Sequence, residues 1–150
     1  MTNQRPDPPT AAAPAGLLLF AHGARDPCWA QPFNEVAELC RSARGENGGC
    51  AAGAGSTVVL AFLEFMAPDL VAAGQALAAR GCAEVDVVPL FLGAGGHVRK
   101  DIPVLMARLR AEHPAVRWTL RRAIGESPAV IAAMARQALE SADSPAVALG

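Results

Sequence analysis

The sequence has little of what several broad classes of protein require. Its four cysteines, at positions 28, 40, 50 and 82, form no C-x-x-C pair. Because a chain of this size needs no disulfide framework, we expect reduced thiols and neither a zinc nor an iron–sulfur site. No stretch approaches the roughly 18 continuous apolar residues that span a membrane. The apolar run after position 11 is short and broken by Pro14, which is unlike a targeting signal. These absences predict a cytoplasmic protein without a membrane partner.

An excess of positive charge and the common nucleotide-binding motifs are also absent. The sequence has 13 Lys and Arg residues and 14 Asp and Glu residues, which gives a formal net charge of -1. This balance disfavours a nucleic-acid partner. The glycine-rich segment 93–96 would need a further glycine at Val98 to complete G-x-G-x-x-G, and no G-K-[ST] occurs. Dinucleotide-binding and P-loop functions are therefore disfavoured.

What the sequence does contain is a repeated alternation of strand and helix. Over 150 residues, 52% of them apolar, it is long enough for one domain with a buried core. Apolar runs predict strands at 16–21, 57–63, 84–91 and 116–120, with helices ending near positions 44, 80, 112 and 140. This pattern predicts an α/β fold, a small doubly wound four-stranded parallel sheet of flavodoxin-like strand order 2-1-3-4, flanked by helices.

The domain limits follow from composition. Residues 1–15 are rich in proline and are predicted to form a disordered N-terminal tail. A single domain is expected over 16–140, with a C-terminal tail at 141–150. The glycine-rich stretch 45–55 is predicted to be a mobile loop between the first helix and the second strand.

Prolines and small acids mark the helix starts. Pro27, Pro68 and Pro128 suit the first turn of a helix, and Asp26 and Ser127 stand where an N-cap residue would be. Asp101, before Ile102 and Pro103, predicts a similar start for the third helix. We therefore interpret Asp26 and Asp101 as helix caps rather than catalytic acids.

Two of the three histidines follow predicted strands. His22 comes directly after the first strand, and His97 ends the glycine-bearing loop after the third. In a 2-1-3-4 sheet these strands are neighbours, and ligands bind at their carboxyl ends, so the two imidazoles are expected to face each other. Imidazole is a common metal ligand and titrates near neutral pH, so metal binding and proton transfer are both open. His113, before Pro114, is predicted to be an exposed helix-end residue.

Glu64 is a third candidate for the same edge of the sheet. It directly follows the predicted second strand. Two histidines and one carboxylate would suit a divalent transition metal with open coordination positions. The alternative is a solvated acid at a strand end, or a charge near the start of the following helix.

The predicted edge is also locally cationic. Arg25, Arg99 and Lys100 lie near the histidines, and such a cluster suits a polycarboxylate ligand. The backbone at Gly95 and Gly96 would let a flat ligand approach closely, because no side chain stands in the way.

Three stretches together resemble a known family. They are 19–27 (LFAHGARDP), 61–64 (AFLE) and 88–103 (VPLFLGAGGHVRKDIP), and they resemble the short CbiX/SirB-type sirohydrochlorin chelatases over most of residues 16–140. The third stretch is the most specific. Ala24 stands where serine is common in the family, a difference that we expect to leave activity intact because the neighbouring His22 is the residue thought to act.

The resemblance implies a lyase that inserts Co²⁺ for cobalamin, or Fe²⁺ for sirohaem, into sirohydrochlorin without ATP, with Ni²⁺ also open. The metal is then a substrate, and no cofactor is permanently bound. It implies that His22 and His97 bind the metal or act as bases, that Glu64 assists, and that short chains work as homodimers. The substrate-binding residues expected on this basis are Arg25, Phe91, Leu92, Gly95, Gly96, Arg99 and Lys100.

Other functions are open on the sequence. In histidine phosphatases the nucleophilic histidine is also followed by glycine, but arginine precedes it, whereas here that position is Ala21. A non-catalytic subunit that carries a metal or a tetrapyrrole would use similar residues. A flavodoxin-like nucleotide-binding module is disfavoured because no phosphate loop is present.

Overall fold

Four parallel strands form one sheet in the order β2-β1-β3-β4, as predicted. The structure is a computed structural model, which describes residues 13–46, 56–93 and 95–143 except the side chain of His97. The first strand is central, because Leu17 lies opposite both Val58 and Asp86. The strands are β1 Ala15–Ala21, β2 Val58–Phe62, β3 Glu84–Pro89 and β4 Arg117–Leu120.

Each strand is followed by a helix, so the predicted alternation is confirmed. The helices are α1 Gln31–Ala43, α2 Leu70–Ala79, α3 Gly96–Glu112 and α4 Pro128–Ala142, with short 3-10 helices at Pro27–Ala30 and Ile124–Glu126. Strand bounds fall within two residues of those predicted, and Ala15, assigned to the tail, begins β1. Ser141 and Ala142, assigned to the C-terminal tail, end α4. Most of the loop and tail predictions fall on residues 1–12, 47–55 and 144–150, which lie outside the described residues.

Apolar side chains are buried on both faces of the sheet. On one face Leu18, Phe20 and Val87 pack with the residues of α2 and α3. On the other face Leu19 and Leu60 pack with α1. Burial on both faces explains why the strands are continuous apolar runs rather than alternating ones.

Gly74 in α2 permits a close approach between two helices. A Cβ atom at this position would lie 2.3 Å from Leu109 Cδ2 and 3.1 Å from the Trp118 ring. The absence of a side chain therefore lets α2 pack against α3 and against Trp118 of β4.

One of the first two predicted helix starts is confirmed, and the other is wrong by two residues. The Asp26 carboxylate caps the first 3-10 helix by accepting a hydrogen bond of 2.9 Å from the Cys28 N–H. Pro68, however, lies before α2, which begins only after Asp69. The Asp69 carboxylate accepts from the Ala72 N–H at 2.8 Å, and this bond fixes the start of the helix.

The predicted start of the third helix is also wrong, because α3 begins five residues before Asp101. Gly95 has an extended backbone and the helix starts at Gly96. Pro103 therefore lies inside α3, where its missing N–H leaves the Arg99 carbonyl without its usual partner. Ser127 does occupy the N-cap position of α4, but its side chain makes no capping hydrogen bond.

A polar cluster joins the elements at the amino edge of the sheet. The Glu46 carboxylate accepts hydrogen bonds from the Ser56 hydroxyl at 2.6 Å and from the Thr57 N–H at 3.1 Å. Partial burial by itself would raise the pKa of Glu46, but the hydrogen bonds from Ser56 and Thr57, with the charge of Arg44, outweigh it and lower the pKa. The cluster thus ties the end of α1 to the start of β2.

The last helix, α4, stands apart from the core. It has no buried residue, and Ile131, Met134 and Leu139 are exposed. No helix within the described ranges has the length and apolar character needed to cross a bilayer.

Candidate functional site

His22 lies at the carboxyl end of the central strand, on an aromatic floor. Its half-buried imidazole packs against the Phe91 ring, with centroids 4.3 Å apart, and Phe91 in turn packs edge-on against Phe20 at 5.6 Å. Phe91 is only 1% exposed. The ring thus supports the imidazole, and the predicted contact of Phe91 with a substrate stays a prediction.

The loop after β1 is bound directly to the loop after β2. The Leu63 N–H donates to the Ala21 carbonyl at 2.9 Å, and the Glu64 N–H donates to the His22 carbonyl at 3.0 Å. Gly23 has a φ of +89°, and a Cβ atom there would lie 1.9 Å from the Glu64 carbonyl oxygen. Only glycine suits both that conformation and that approach, so Gly23 is what lets these two loops meet.

The backbones of His22 and Glu64 are therefore brought together, as the sheet order predicts. Glu64 is exposed at the edge of the sheet. Its carbonyl accepts a hydrogen bond of 2.8 Å from the Met66 N–H, which closes a tight turn after the strand. His22 and Glu64 thus lie on two loops whose backbones are hydrogen-bonded to each other.

Phe65 belongs to the same turn and was missed by the sequence analysis. Its φ is +63°, a left-handed conformation that is rare for an aromatic residue. The side chain is 60% exposed, and the Arg25 guanidinium lies 5.3 Å from the ring centroid. An exposed aromatic residue held in a strained backbone conformation is a feature of ligand sites. The only sequence signal was its position directly after Glu64.

The start of α3 supplies the third side of the site. His97 was predicted to lie in a loop, but its backbone is in the first turn of α3, directly after Gly96. The free N–H groups of a helix start favour anions. Arg99 and Lys100, exposed on the first turns of α3, add positive charge here, as predicted.

The glycines before His97 face open space. A Cβ atom at Gly95 or Gly96 would meet no described atom within 4 Å. Packing against the described residues does not require glycine at either position. Leu92, on the same loop, is 64% exposed, and its role in substrate binding stays a prediction.

Metal binding by His22, His97 and Glu64 together stays a prediction. Among the side chains that the structure describes, no three His, Cys, Asp or Glu residues are grouped closely enough to hold a metal ion. The imidazole of His97 lies outside that description, so the predicted three-ligand set is not tested by the geometry. His113 differs from the prediction, since it is only half exposed and its Nε2 atom is buried beside Trp118.

Known proteins resemble the chain in sequence and in fold. The sequence model of the CbiX family matches residues 16–141. The sirohydrochlorin cobaltochelatase of Saccharolobus solfataricus is 35% identical over 91 residues, which are 61% of this chain and 62% of that relative. The chain thus spans less than two thirds of the length of this relative.

Solved structures give the same result. A CbiX protein of cobalamin (vitamin B12) biosynthesis from Marinobacter aquaeolei is 32% identical, with a TM-score of 0.70, over 87% of this chain and 98% of that chain. The sirohydrochlorin chelatase SirB from Bacillus subtilis subspecies spizizenii, in complex with cobalt, is 24% identical and has a TM-score of 0.66. Its match covers 84% of this chain and 50% of SirB, and at that identity the likeness shows the fold alone. With a family model that matches most of its length, this chain belongs to the CbiX family.

Proposed function

We propose that this protein is a chelatase that inserts a divalent metal, Co²⁺ or Fe²⁺, into sirohydrochlorin without ATP. The observation that carries the proposal is the backbone hydrogen bond that joins Glu64 to His22 at the carboxyl edge of a CbiX-family sheet. This edge is where an open parallel sheet binds its ligand. The name of the Saccharolobus relative supports the choice of substrate.

His22 is the residue best placed to act on the metal and on the protons that it displaces. Insertion of a divalent ion releases two pyrrole N–H protons, while the ion exchanges water ligands for ring nitrogens. A neutral imidazole can hold such an ion weakly and can also accept a proton near neutral pH. Packing against Phe91 limits the directions in which the His22 ring can turn. The residue is thereby oriented before the substrate arrives.

Glu64 and His97 complete the proposed catalytic set. The exposed Glu64 carboxylate attracts the cation and gives a released proton a second acceptor. His97, in the first turn of α3, is proposed as the second imidazole that binds the metal or accepts a proton. In this proposal the metal is a substrate, Ni²⁺ stays open as a third ion, and no resident cofactor is needed.

The substrate is held by charge and by apolar contact. Sirohydrochlorin is a flat macrocycle with peripheral carboxylates, and Arg25, Arg99 and Lys100 supply cations for them. Leu92 and Phe65 offer exposed apolar surface to the macrocycle. The open backbone at 95–96 admits one face of the ring.

We also propose that the protein works as a homodimer in the cytoplasm. One chain provides a single open sheet edge. SirB, by comparison, is about twice as long as the segment of SirB that this chain matches. Exposed apolar residues on α4, among them Ile131 and Met134, favour a further contact. Sedimentation equilibrium at micromolar concentration is expected to give twice the mass of one chain, and a monomer at all concentrations would overturn this part.

The test of the function is anaerobic metal insertion. Purified protein is mixed with sirohydrochlorin and Co²⁺ or Fe²⁺, and the tetrapyrrole absorbance is followed against the spontaneous reaction. His22→Ala, His97→Ala and Glu64→Gln are compared with wild type. His113→Gln is the matched control, because this third histidine lies at the far end of α3.

Turnover above the spontaneous rate, lost in His22→Ala and His97→Ala but kept in His113→Gln, is the expected result. We expect a loss of at least about a hundredfold for each histidine, in the range that general acid–base groups contribute. A spectral change that stops at one equivalent of protein would indicate a carrier instead. The absence of any response would refute the proposal.

A further inference from the structure

A cleft of about 340 Å³ lies beside the His22 site, between the first turns of α3 and the segment that follows β4. Its walls include Phe91, Ile102 and Leu120, which give it an apolar floor. Phe91 is also the ring against which the His22 imidazole packs. The cleft and the candidate catalytic site therefore share a wall.

The rim of this cleft is cationic. Arg99, Arg121 and Arg122 line it, together with one acid, Glu126. Arg121 is already engaged, because its Nε atom donates to the Asp86 carboxylate at 2.9 Å. Arg99 and Arg122 form no ion pair with any described residue, so their guanidinium groups are available to a ligand.

The two arginines that follow β4 differ in their partners. Both line the cleft, in the segment between β4 and the second 3-10 helix. Arg121 reaches back to Asp86 on β3, on the sheet face that also holds the Arg117–Glu84 ion pair. Arg122 has no such ion pair with any described residue.

We propose that this cleft binds one carboxylate-bearing side arm of the tetrapyrrole, with Arg122 and Arg99 as its partners. Guanidinium groups pair with a carboxylate in a planar, bidentate geometry, and the apolar floor suits the methylene groups of the arm. Because Phe91 belongs both to this floor and to the His22 site, an arm bound in the cleft would place the macrocycle above the His22 imidazole. The inference rests on the proposed function and adds Arg122, which lies 25 positions after His97 in the sequence, to the substrate-binding residues.

Glu126 and Arg122 should have opposite effects on the binding of the carboxylate arm. Glu126 lines the same cleft and repels a bound carboxylate, so removing its charge should strengthen binding while removing Arg122 should weaken it. Both residues are exposed, and neither substitution disturbs the core. Arg110 is the matched control, since it is an exposed arginine in the last turn of α3, about 20 Å along the helix from Gly96.

The experiment is a fluorescence titration of metal-free sirohydrochlorin with Arg122→Gln, Glu126→Gln, Arg110→Gln and the wild-type protein. We expect about a tenfold higher Kd for Arg122→Gln, a two- to fivefold lower Kd for Glu126→Gln, and no change for Arg110→Gln, in line with charged contacts at partly exposed sites. Added salt should weaken wild-type binding more than that of Arg122→Gln, because it screens the contact that the variant lacks. Circular dichroism checks that each variant is folded.

The outcomes separate this inference from the proposed function. If wild type binds and metallates sirohydrochlorin but Arg122→Gln binds it equally well, the cleft is not the site of the arm and only the inference fails. Equal losses in Arg122→Gln and Arg110→Gln would mark a general charge effect and also overturn it. An unchanged Kd in Glu126→Gln would place the arm away from the cleft. If wild type itself does not bind the tetrapyrrole, both the function and the inference fail.

Discussion

Replacing Gly23 by alanine tests whether the close contact between the two loops holds the site together. The φ of +89° at Gly23 costs an alanine residue about 1–2 kcal/mol. In addition, the new Cβ atom would lie 1.9 Å from the Glu64 carbonyl oxygen, a backbone atom that must shift by more than 1 Å. Two hydrogen bonds between the loops then weaken, each worth about 1 kcal/mol. The sum is a loss of roughly 3–4 kcal/mol in the free energy of unfolding.

Gly45→Ala is the control for this substitution. Gly45 also has a positive φ, +74°, but a Cβ atom there meets no described atom within 4 Å. Gly45→Ala should therefore lower the free energy of unfolding only by the cost of the positive φ, about 1–2 kcal/mol. Unfolding in urea, measured by circular dichroism, gives both values, and metal insertion by the folded fraction of each variant gives the effect on the site. We expect insertion to fall strongly in Gly23→Ala, because His22 and Glu64 move apart, and to be unchanged in Gly45→Ala.

Equal losses of stability in the two variants would show that the loops can separate without cost, and the reasoning would be refuted. The same holds if Gly23→Ala inserts metal at the wild-type rate. Either result would mean that the contact between the loops does not position His22.

Three further predictions concern the edges of the sheet. Phe65→Gly relieves a positive φ worth about 1–2 kcal/mol, and the greater chain entropy of glycine offsets about 0.5–1 kcal/mol of this, so the free energy of unfolding should rise by about 1 kcal/mol at most. The same variant should weaken sirohydrochlorin binding in a fluorescence titration, and a Kd equal to that of wild type would exclude Phe65 from the substrate surface. Gly96→Ala should leave stability in urea unchanged or slightly higher, because the position is helical and open, but weaken binding; unaffected binding would mean that no ligand approaches there. Because the folded-state pKa of Glu46 is lowered, its carboxylate stabilises the fold fully above the ordinary pKa of about 4.5, and this contribution is lost as the pH falls through the folded value. Glu46→Gln should therefore show a smaller loss of stability than wild type in urea unfolding between pH 5 and about pH 3, and identical slopes would contradict the assignment.

The sequence was sufficient for the sheet and for part of the site, because both follow from where the apolar runs end. The runs before His22 and Glu64 place those residues at the same sheet edge, and the 2-1-3-4 order puts their strands side by side. The start of α3 was mispredicted because Asp101 with Pro103 is a strong local signal. The structure begins the helix at Gly96 instead.

Other features depend on contacts between distant segments, which no local pattern reports. The run that contains Phe91 continues past the end of β3, so its apolar character could not tell whether the ring faces a ligand or lies beneath His22. The positive φ of Phe65 arises in a turn fixed by the neighbouring loop. Arg122 lies in the cleft only because α3 and the end of β4 pack together.

The central position of β1 has a consequence for how the chain folds. Leu17 pairs with Val58 and with Asp86, so 41 and 69 residues separate the partners along the chain. The central strand is therefore synthesised well before either neighbour that covers its edges, and closing such long loops slows folding. Until β3 has left the ribosome, the apolar segment 16–21 has at least one unpaired edge, the kind of sequence that chaperones bind and that aggregation recruits.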